Sequence, residues 1–235
     1  MLTGAHRFSM NEKAVMQRPA RAKVEIDPSR RVAIGREKRA RTRARILNAA
    51  FALFGREGGL FTRVEELCLA ADVTRQTFYN HFNGMDELRS ALTDEVNHDF
   101  LVAVSAVMED LDDPAERAAT AIRHYLEKAA RDQKWGWSMV NISSNGIIFG
   151  LETYKRAEQT VREGIHRGVF TLSDARLGRD LIMGTALSAV VTQLREAPGS
   201  NYSLEITRRL LLSLGVSPKR ADELVSRPLR PLLER

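Results

Sequence analysis

The chain has 235 residues, 43% of them hydrophobic and 28% charged, which excludes wholesale disorder and leaves room for one large or two small domains with their own cores. Its one cysteine, Cys68, excludes a disulfide framework within the chain and fits a reducing cytoplasm; no apolar run approaches the ~20 residues of a membrane span, and no apolar stretch marks a secretory signal. The net charge of +6 is concentrated at one end: residues 1–45 hold thirteen Lys/Arg against four Asp/Glu, a net +9, so the remainder carries −3. A basic end of this kind suits a polyanionic partner.

Residues 1–35, with Pro19, Pro28 and scattered arginines but no sustained periodicity, are expected to be a disordered arm. From Arg36 the pattern turns helical: Ile46, Ala49, Ala50, Leu53 and Phe54 share one face, and Gly58-Gly59 stops the helix. Thr62-Arg63-Val64-Glu65 reads as a capping box, with Thr62 as N-cap, opening a helix whose apolar side is Val64, Leu67, Cys68 and Ala71. Cys68 on that face reads as core. Asp72-Val73 ends the helix after about two turns. Thr74 caps a short helix reaching about Phe82, Asn83-Gly84 turns the chain, and Asp86-Glu87 sit in the first turn of a long helix from Met85 to about Met108. Asp113-Pro114-Ala115-Glu116 opens the next helix, to about Asp132. Residues 134–150, interrupted by Gly136, Gly146 and Gly150, read as a broken or bent segment. Helices then follow over 151–166, 174–196 (opened by Ser173), 204–214 (opened by Ser203 and closed by Gly215), and from Pro218 to before Pro228. There is no convincing strand and no internal repeat, so the fold class is all-α.

The short helix is the informative one. On a helical wheel Phe78 and Phe82 point one way, Asn80 points nearly opposite with Gln76 and Thr77 beside it, and Tyr79 and His81 project from the flanks. Arg75, in the first turn, has a side chain long enough to reach the outer face. The major groove admits one α-helix, and Arg, Gln, Asn and Thr match base-edge donors, acceptors and thymine methyls. Tyr and His on the flanks suit phosphates on the groove walls. A two-turn helix, a tight turn and a second helix with such a face form a helix-turn-helix over about 62–82.

The stretch "ARTRARILNAAFALFGREGGLFTRVEELCLAADVTRQTFYNHFNGMDEL" resembles the N-terminal DNA-binding domain of the TetR family of bacterial transcriptional regulators. The likeness covers roughly residues 40–88 and rests on Ile46-Leu47-Asn48-Ala49-Ala50, Leu53-Phe54, Gly58, Thr62, Ala70-Ala71-Asp72-Val73, Thr77-Phe78-Tyr79, His81-Phe82 and Leu88. It implies an N-terminal three-helix DNA-binding domain over 36–84, joined by a long helix to a helical ligand-binding and dimerisation domain over 85–235. The DNA-binding set it supports is Arg41, Arg45, Thr62, Arg63, Thr74, Arg75, Gln76, Thr77, Tyr79, Asn80 and His81. Three positions depart from the family pattern. Asp72 stands where glycine is usual, Gln76 where glycine is frequent, and Met85 where a phosphate-binding lysine is frequent. The basic arm from Arg36 to Arg45 offers compensation for the missing lysine.

The resemblance further implies a homodimer and a small-molecule effector. On 174–196, Leu177, Leu181, Leu187, Val191 and Leu194 line one side, with Gly178, Gly184, Ala186 and Ala189 allowing close approach; Leu204, Ile206, Leu210, Leu211 and Leu214 make the next helix apolar. Two such helices per chain suit a four-helix interface across a two-fold axis. Trp135, Trp137, Met139, Phe149 and Tyr154 are the candidate ligand-binding residues, with Asn141, Ser144 or Asn145 as polar groups. An apolar effector is favoured, because the nearby cations Lys134, Lys155 and Arg156 lie at the edges of this stretch.

Enzymatic signatures are missing: no H-E-x-x-H, G-x-G-x-x-G, P-loop or G-x-S-x-G occurs, and His6, His81, His98, His124 and His166 have no metal-ligand spacing. The acidic pairs Glu109-Asp110 and Asp112-Asp113 fit helix ends and caps. No metal or cofactor is expected, and no membrane partner. The expected function is a sequence-specific regulator, a ligand-responsive repressor binding a palindromic double-stranded DNA operator as a homodimer. The alternatives are a polyanion- or membrane-surface-binding module led by the basic arm, which leaves the Thr74–Phe82 face idle, or a small-molecule enzyme in the helical C-terminal region.

Overall fold

The computed structural model describes residues 28–143 and 147–232, and every regular element among them is helical. In chain order the helices are α1 (Pro28–Phe54), α2 (Val64–Ala70), α3 (Arg75–Tyr79), α4 (Met85–Glu109), α5 (Pro114–Arg131), α6 (Gln133–Ile142), α7 (Leu151–His166), α8 (Ala175–Glu196), α9 (Tyr202–Ser213) and α10 (Pro218–Ser226), with a 3-10 turn at Gly59–Phe61.

Several boundaries differ from expectation. α1 begins at Pro28, so residues 28–35, expected to be disordered, are its first two turns. Proline at the first helical position has its φ preset and its missing N–H costs nothing there. The N-cap of α2 is Arg63 rather than Thr62. Glu66, not Glu65, reaches back to accept from the Arg63 amide at 3.1 Å, and the buried Thr62 hydroxyl has no hydrogen-bond partner. α8 is capped by Asp174, whose carboxylate accepts from the Arg176 amide at 2.9 Å, and α9 starts at Tyr202 with no side-chain cap.

The expected break over 134–150 is confined to its second half. Asp132 caps α6 by accepting from the Trp135 amide at 2.9 Å, and the helix continues through Gly136 to Ile142. Gly136 is there for packing: a Cβ on it would come 3.1 Å from the Leu194 side chain of α8. The chain bends only afterwards, where Phe149 (φ 58°) and Gly150 (φ 91°) take left-handed conformations. Gly146, Ser144 and Asn145 lie outside the described residues.

α5 is central and amphipathic. Its stripe Ala115, Ala118, Ala119, Ile122, Leu126 and Ala129 is buried against α6, α7, α8 and α9. α7 and α8 pack tightly along each other, whereas α4 lies more lightly on α5 and α6. At the other end of the core Ile46, Phe54, Leu67, Phe78, Phe82 and Leu88 close around one another. The chain divides into two compact units, residues 1–39 and 40–235. Within residues 40–235 the end of α1 and the turn after it are tied to the body: Asn141 of α6 donates to the carbonyls of Phe54 (2.7 Å) and Arg56 (2.9 Å), and Arg195 pairs with Glu57 at 2.9 Å.

Candidate nucleic-acid interface

The turn between α2 and α3 is built by the last residues of α2. The Val73 amide bonds the Cys68 carbonyl (3.0 Å) and the Asp72 amide bonds that of Leu69 (3.2 Å), with Asp72 left-handed at φ 50°. This two-bond helix ending normally uses glycine; aspartate is among the few side chains that tolerate the conformation. Asp72 therefore preserves the turn that its departure from the family pattern put in question. Cys68 is buried beneath it, and burial raises its thiol pKa while Arg75 opposes the rise.

Thr74 caps α3 by accepting from the Thr77 amide at 3.0 Å. The helix proper ends at Tyr79, and turn bonds from Asn80 to Gln76 and from Phe82 to Phe78, each 3.0 Å, carry the coil on to Phe82. Phe78 and Phe82 are wholly buried, their ring centroids 5.8 Å apart, with the Arg43 guanidinium 5.1 Å above the Phe82 ring. Arg75, Gln76, Tyr79 and Asn80 are exposed. Thr77 and His81 are half-buried, and the Thr77 hydroxyl lies 2.9 Å from that of Thr74. Gln76 donates to the Asn80 amide oxygen at 3.2 Å, so the two amides stand side by side on the outer face. Arg75 reaches back to Glu65 of α2 at 3.0 Å, a surface pair that costs less than about 1 kcal/mol to release.

The expected phosphate-contact groups are placed unequally. Arg41, Arg45 and Arg63 are exposed; Arg45 lies 3.9 Å from the Asp72 carboxylate. Thr62 is buried, so its hydroxyl does not face solvent.

In the helical body a partly enclosed cavity of about 60 Å³ lies among α4, α5, α7 and α8. Its apolar wall includes Leu101, Val104, Met108, Ile122, Met183 and Ala186, and its polar groups are Tyr125, Thr153, Thr160, Arg117 and Arg156. Of the five expected ligand residues, Phe149 alone lines it. Trp135 is core, stacked edge-on against Phe100 with centroids 5.3 Å apart; Met139 is fully buried. Trp137 lies beneath Arg195 (5.6 Å) and Tyr154 beneath Arg179 (4.1 Å). α6, which carries both tryptophans, supplies none of the wall. Sequence reading missed Tyr125 and Thr153. The available signal was polar residues on the inward stripes of amphipathic α5 and α7.

The apolar side expected for a partner chain is partly spent within the chain. Ala186, Ala189, Leu210, Leu211 and Leu214 are core. Gly178 meets Val161 and Leu172. Leu177 and Gly184 of α8 are exposed, with Leu181, Leu187, Val191, Leu204 and Ile206 half-buried beside them.

Known proteins agree with this geometry. Residues 46–92 match the model of the tetR family of bacterial regulatory proteins, and residues 113–227 match the tetracyclin repressor-like C-terminal domain; together they take in more than two thirds of the chain. The chain belongs to the TetR family of transcriptional regulators. It is 37% identical over 79 residues to a probable HTH-type transcriptional regulator, ArpR, of Pseudomonas putida; the match takes in 33% of this chain and spans 38% of that protein's length. Among solved structures it is similar to RolR in complex with resorcinol: 25% identity, 84% of this chain, all of that one, TM-score 0.65. Bacillus subtilis FadR in complex with stearoyl-CoA, at 20% identity over 74% of this chain and 98% of that one, shares the fold with a TM-score of 0.56. No helix among the described residues is long and apolar enough to cross a membrane.

Proposed function

We propose that this protein is a cytoplasmic, ligand-responsive repressor that binds a palindromic operator as a homodimer. The observation that carries the reading is α3: two buried phenylalanines fix a two-turn helix whose exposed face is Arg75, Gln76, Tyr79 and Asn80, behind a tight turn. Gln76 and Asn80 read base edges, with Arg75 joining them once it leaves Glu65. Tyr79, His81, Arg63, Arg45 and Arg41 hold phosphates, and the basic residues of α1 add to the non-specific attraction. Thr62 contributes through its backbone position at the start of α2, since its hydroxyl is buried. The exposed and half-buried residues of α8 and α9 form the dimer interface, which sets two copies of α3 about 34–36 Å apart.

The effector enters the cavity beside α4. A cavity of about 150 Å³ holds benzene, so the 60 Å³ present here must widen for any ligand with a ring. α5, α7 and α8 are packed firmly together; α4 is the wall least held, through Leu101, Val104 and Met108. α4 also follows directly on the reading helix, so its displacement changes the spacing of the two heads. A coupling of ~1–3 kcal/mol releases DNA roughly 5- to 150-fold, and DNA weakens the ligand by the same factor. RolR and FadR, crystallised with resorcinol and stearoyl-CoA, support a ligand in such a body.

The test is selection of bound sequences from a random DNA pool by the full chain. A two-fold-symmetric site with half-sites one helical turn apart is expected. Enrichment of no common sequence overturns the reading and leaves a non-specific polyanion binder.

A further inference from the structure

Behind the cavity wall three buried polar side chains meet. Asn97 of α4 donates through Nδ2 to the Phe149 carbonyl (2.9 Å), the Thr153 hydroxyl (3.1 Å) and the Tyr125 hydroxyl (3.3 Å), and the two hydroxyls lie 2.9 Å apart. The carbonyl of Phe149 only accepts, so it fixes the amide with nitrogen toward this group. The amide hydrogens then serve the carbonyl and one hydroxyl oxygen, and one hydroxyl serves the other. The hydrogen of the second hydroxyl has no acceptor among the described residues. The Asn97 oxygen is also without a partner, but Asn97 is not part of the cavity wall, whereas Tyr125 and Thr153 both are. Burial raises the Tyr125 pKa, so its phenol stays protonated and able to donate.

The charged part of the wall has the same sign of demand. Arg117 and Arg156 line the cavity, and no carboxylate does. Arg117 is held by Glu163 at 2.6 Å, yet its Nε is buried without an acceptor; Arg156 is held by Glu152 at 2.9 Å, outside the wall. The wall's unsatisfied polar capacity is therefore hydrogen-bond donation, beside two guanidinium groups that a ligand carboxylate can share with Glu163 and Glu152. Apart from Thr160 the rest of it is aliphatic, aromatic or thioether, and Met108 and Met183 can reshape without strain.

We propose that the effector is a small apolar carboxylate. Its hydrocarbon part sits among Leu101, Val104, Ile122 and Met183. Its carboxylate accepts from the spare hydroxyl hydrogen of the Tyr125–Thr153 pair and faces Arg117 and Arg156. The ligand is thus apolar with an anionic end, not wholly apolar as the sequence favoured. Asn97 links the ligand-facing hydroxyls to α4. The inference rests on the effector reading of the cavity given above.

The test uses the full chain carrying Trp137→Phe, which leaves Trp135 as the single tryptophan, 6.0 Å from the Tyr125 ring centroid. Benzoate and isovalerate are titrated as carboxylate probes of two sizes, with toluene as the benzoate isostere lacking the carboxylate. Saturable emission changes with either carboxylate are expected, with toluene about tenfold weaker than benzoate or worse. Tyr125→Phe combined with Thr153→Val should erase most of that preference, and Ala186→Leu, which fills the cavity, should remove binding. Circular dichroism melting establishes that each variant is folded; if the double variant is not, Tyr125→Phe alone carries the comparison. Toluene binding as tightly as benzoate, binding unaffected by Ala186→Leu, or no binding of either carboxylate overturns the proposal. Failure of the switch reading is separate. It is carboxylate binding with the expected preference but equal affinity in the presence and absence of operator.

Discussion

Asn141 offers the sharpest test of how the reading head is held. Its side chain is buried, and its Nδ2 serves two carbonyls at once: Phe54 at the end of α1, in a buried place, and Arg56 in a partly buried one. Gly59 makes the approach possible, since a Cβ there would come 2.8 Å from that nitrogen. Truncating Asn141→Ala leaves the Phe54 carbonyl without a donor, at about 1–3 kcal/mol, while water reaches Arg56 and limits its share to about 1 kcal/mol. The expected loss is about 2–4 kcal/mol of unfolding free energy. Asn141→Asp gives the finer signature. It keeps the shape but sets a carboxylate against two carbonyl oxygens, so its folded pKa rises above the unfolded value of about 3.9. The folded state then holds more protons than the unfolded one between those values. Stability relative to wild type accordingly falls as pH rises through that window. Urea unfolding at fixed protein concentration, at pH 5 and pH 8, measures both variants. A loss under about 1 kcal/mol for Asn141→Ala, or a pH-independent deficit for Asn141→Asp, refutes this account of the junction.

Three further outcomes are expected. Gln76→Ala or Asn80→Ala should each cost ~1–3 kcal/mol on the selected operator and relax preference at one base pair, as read by titration against a panel of single-base variants. His124 is buried, and desolvation, then the Arg123 charge, lower its pKa from 6.5 to about 4 against the opposing effect of a hydrogen bond to the Arg230 backbone. It is therefore neutral when folded. The unfolded chain binds the extra proton between those values, so up to about 3 kcal/mol of stability present above pH 6.5 is lost on acidification toward pH 4, and His124→Gln should flatten that part of the stability–pH curve. Gly150→Ala forces a side chain into a left-handed conformation with its Cβ 2.7 Å from the Thr93 methyl of α4, and should lower the melting midpoint by an amount corresponding to about 1–3 kcal/mol.

What the sequence determined by itself is what local chemistry specifies. Asp113-Pro114 and Ser217-Pro218 mark helix starts whether or not anything packs on them, because a cap needs only its own first turn. The spacing of Phe78 and Phe82 likewise decides which side of α3 is buried, and so which side offers Gln76 and Asn80. Tertiary structure decided where local signals are neutral or misleading. Gly136 reads as a breaker, yet the helix runs through it and Leu194, a residue far along the chain, packs closely over it. Trp135 and Met139 have the composition of a pocket but fill the core, because a cavity is a gap left where several helices fail to meet, and no single stretch encodes it. The cavity instead fell to Tyr125, Thr153 and Phe149, which Asn97 gathers from three other segments. The division of α8 and α9 between intrachain core and exposed surface has the same cause: an apolar stripe fixes that a face will be covered, and only the three-dimensional packing fixes by what.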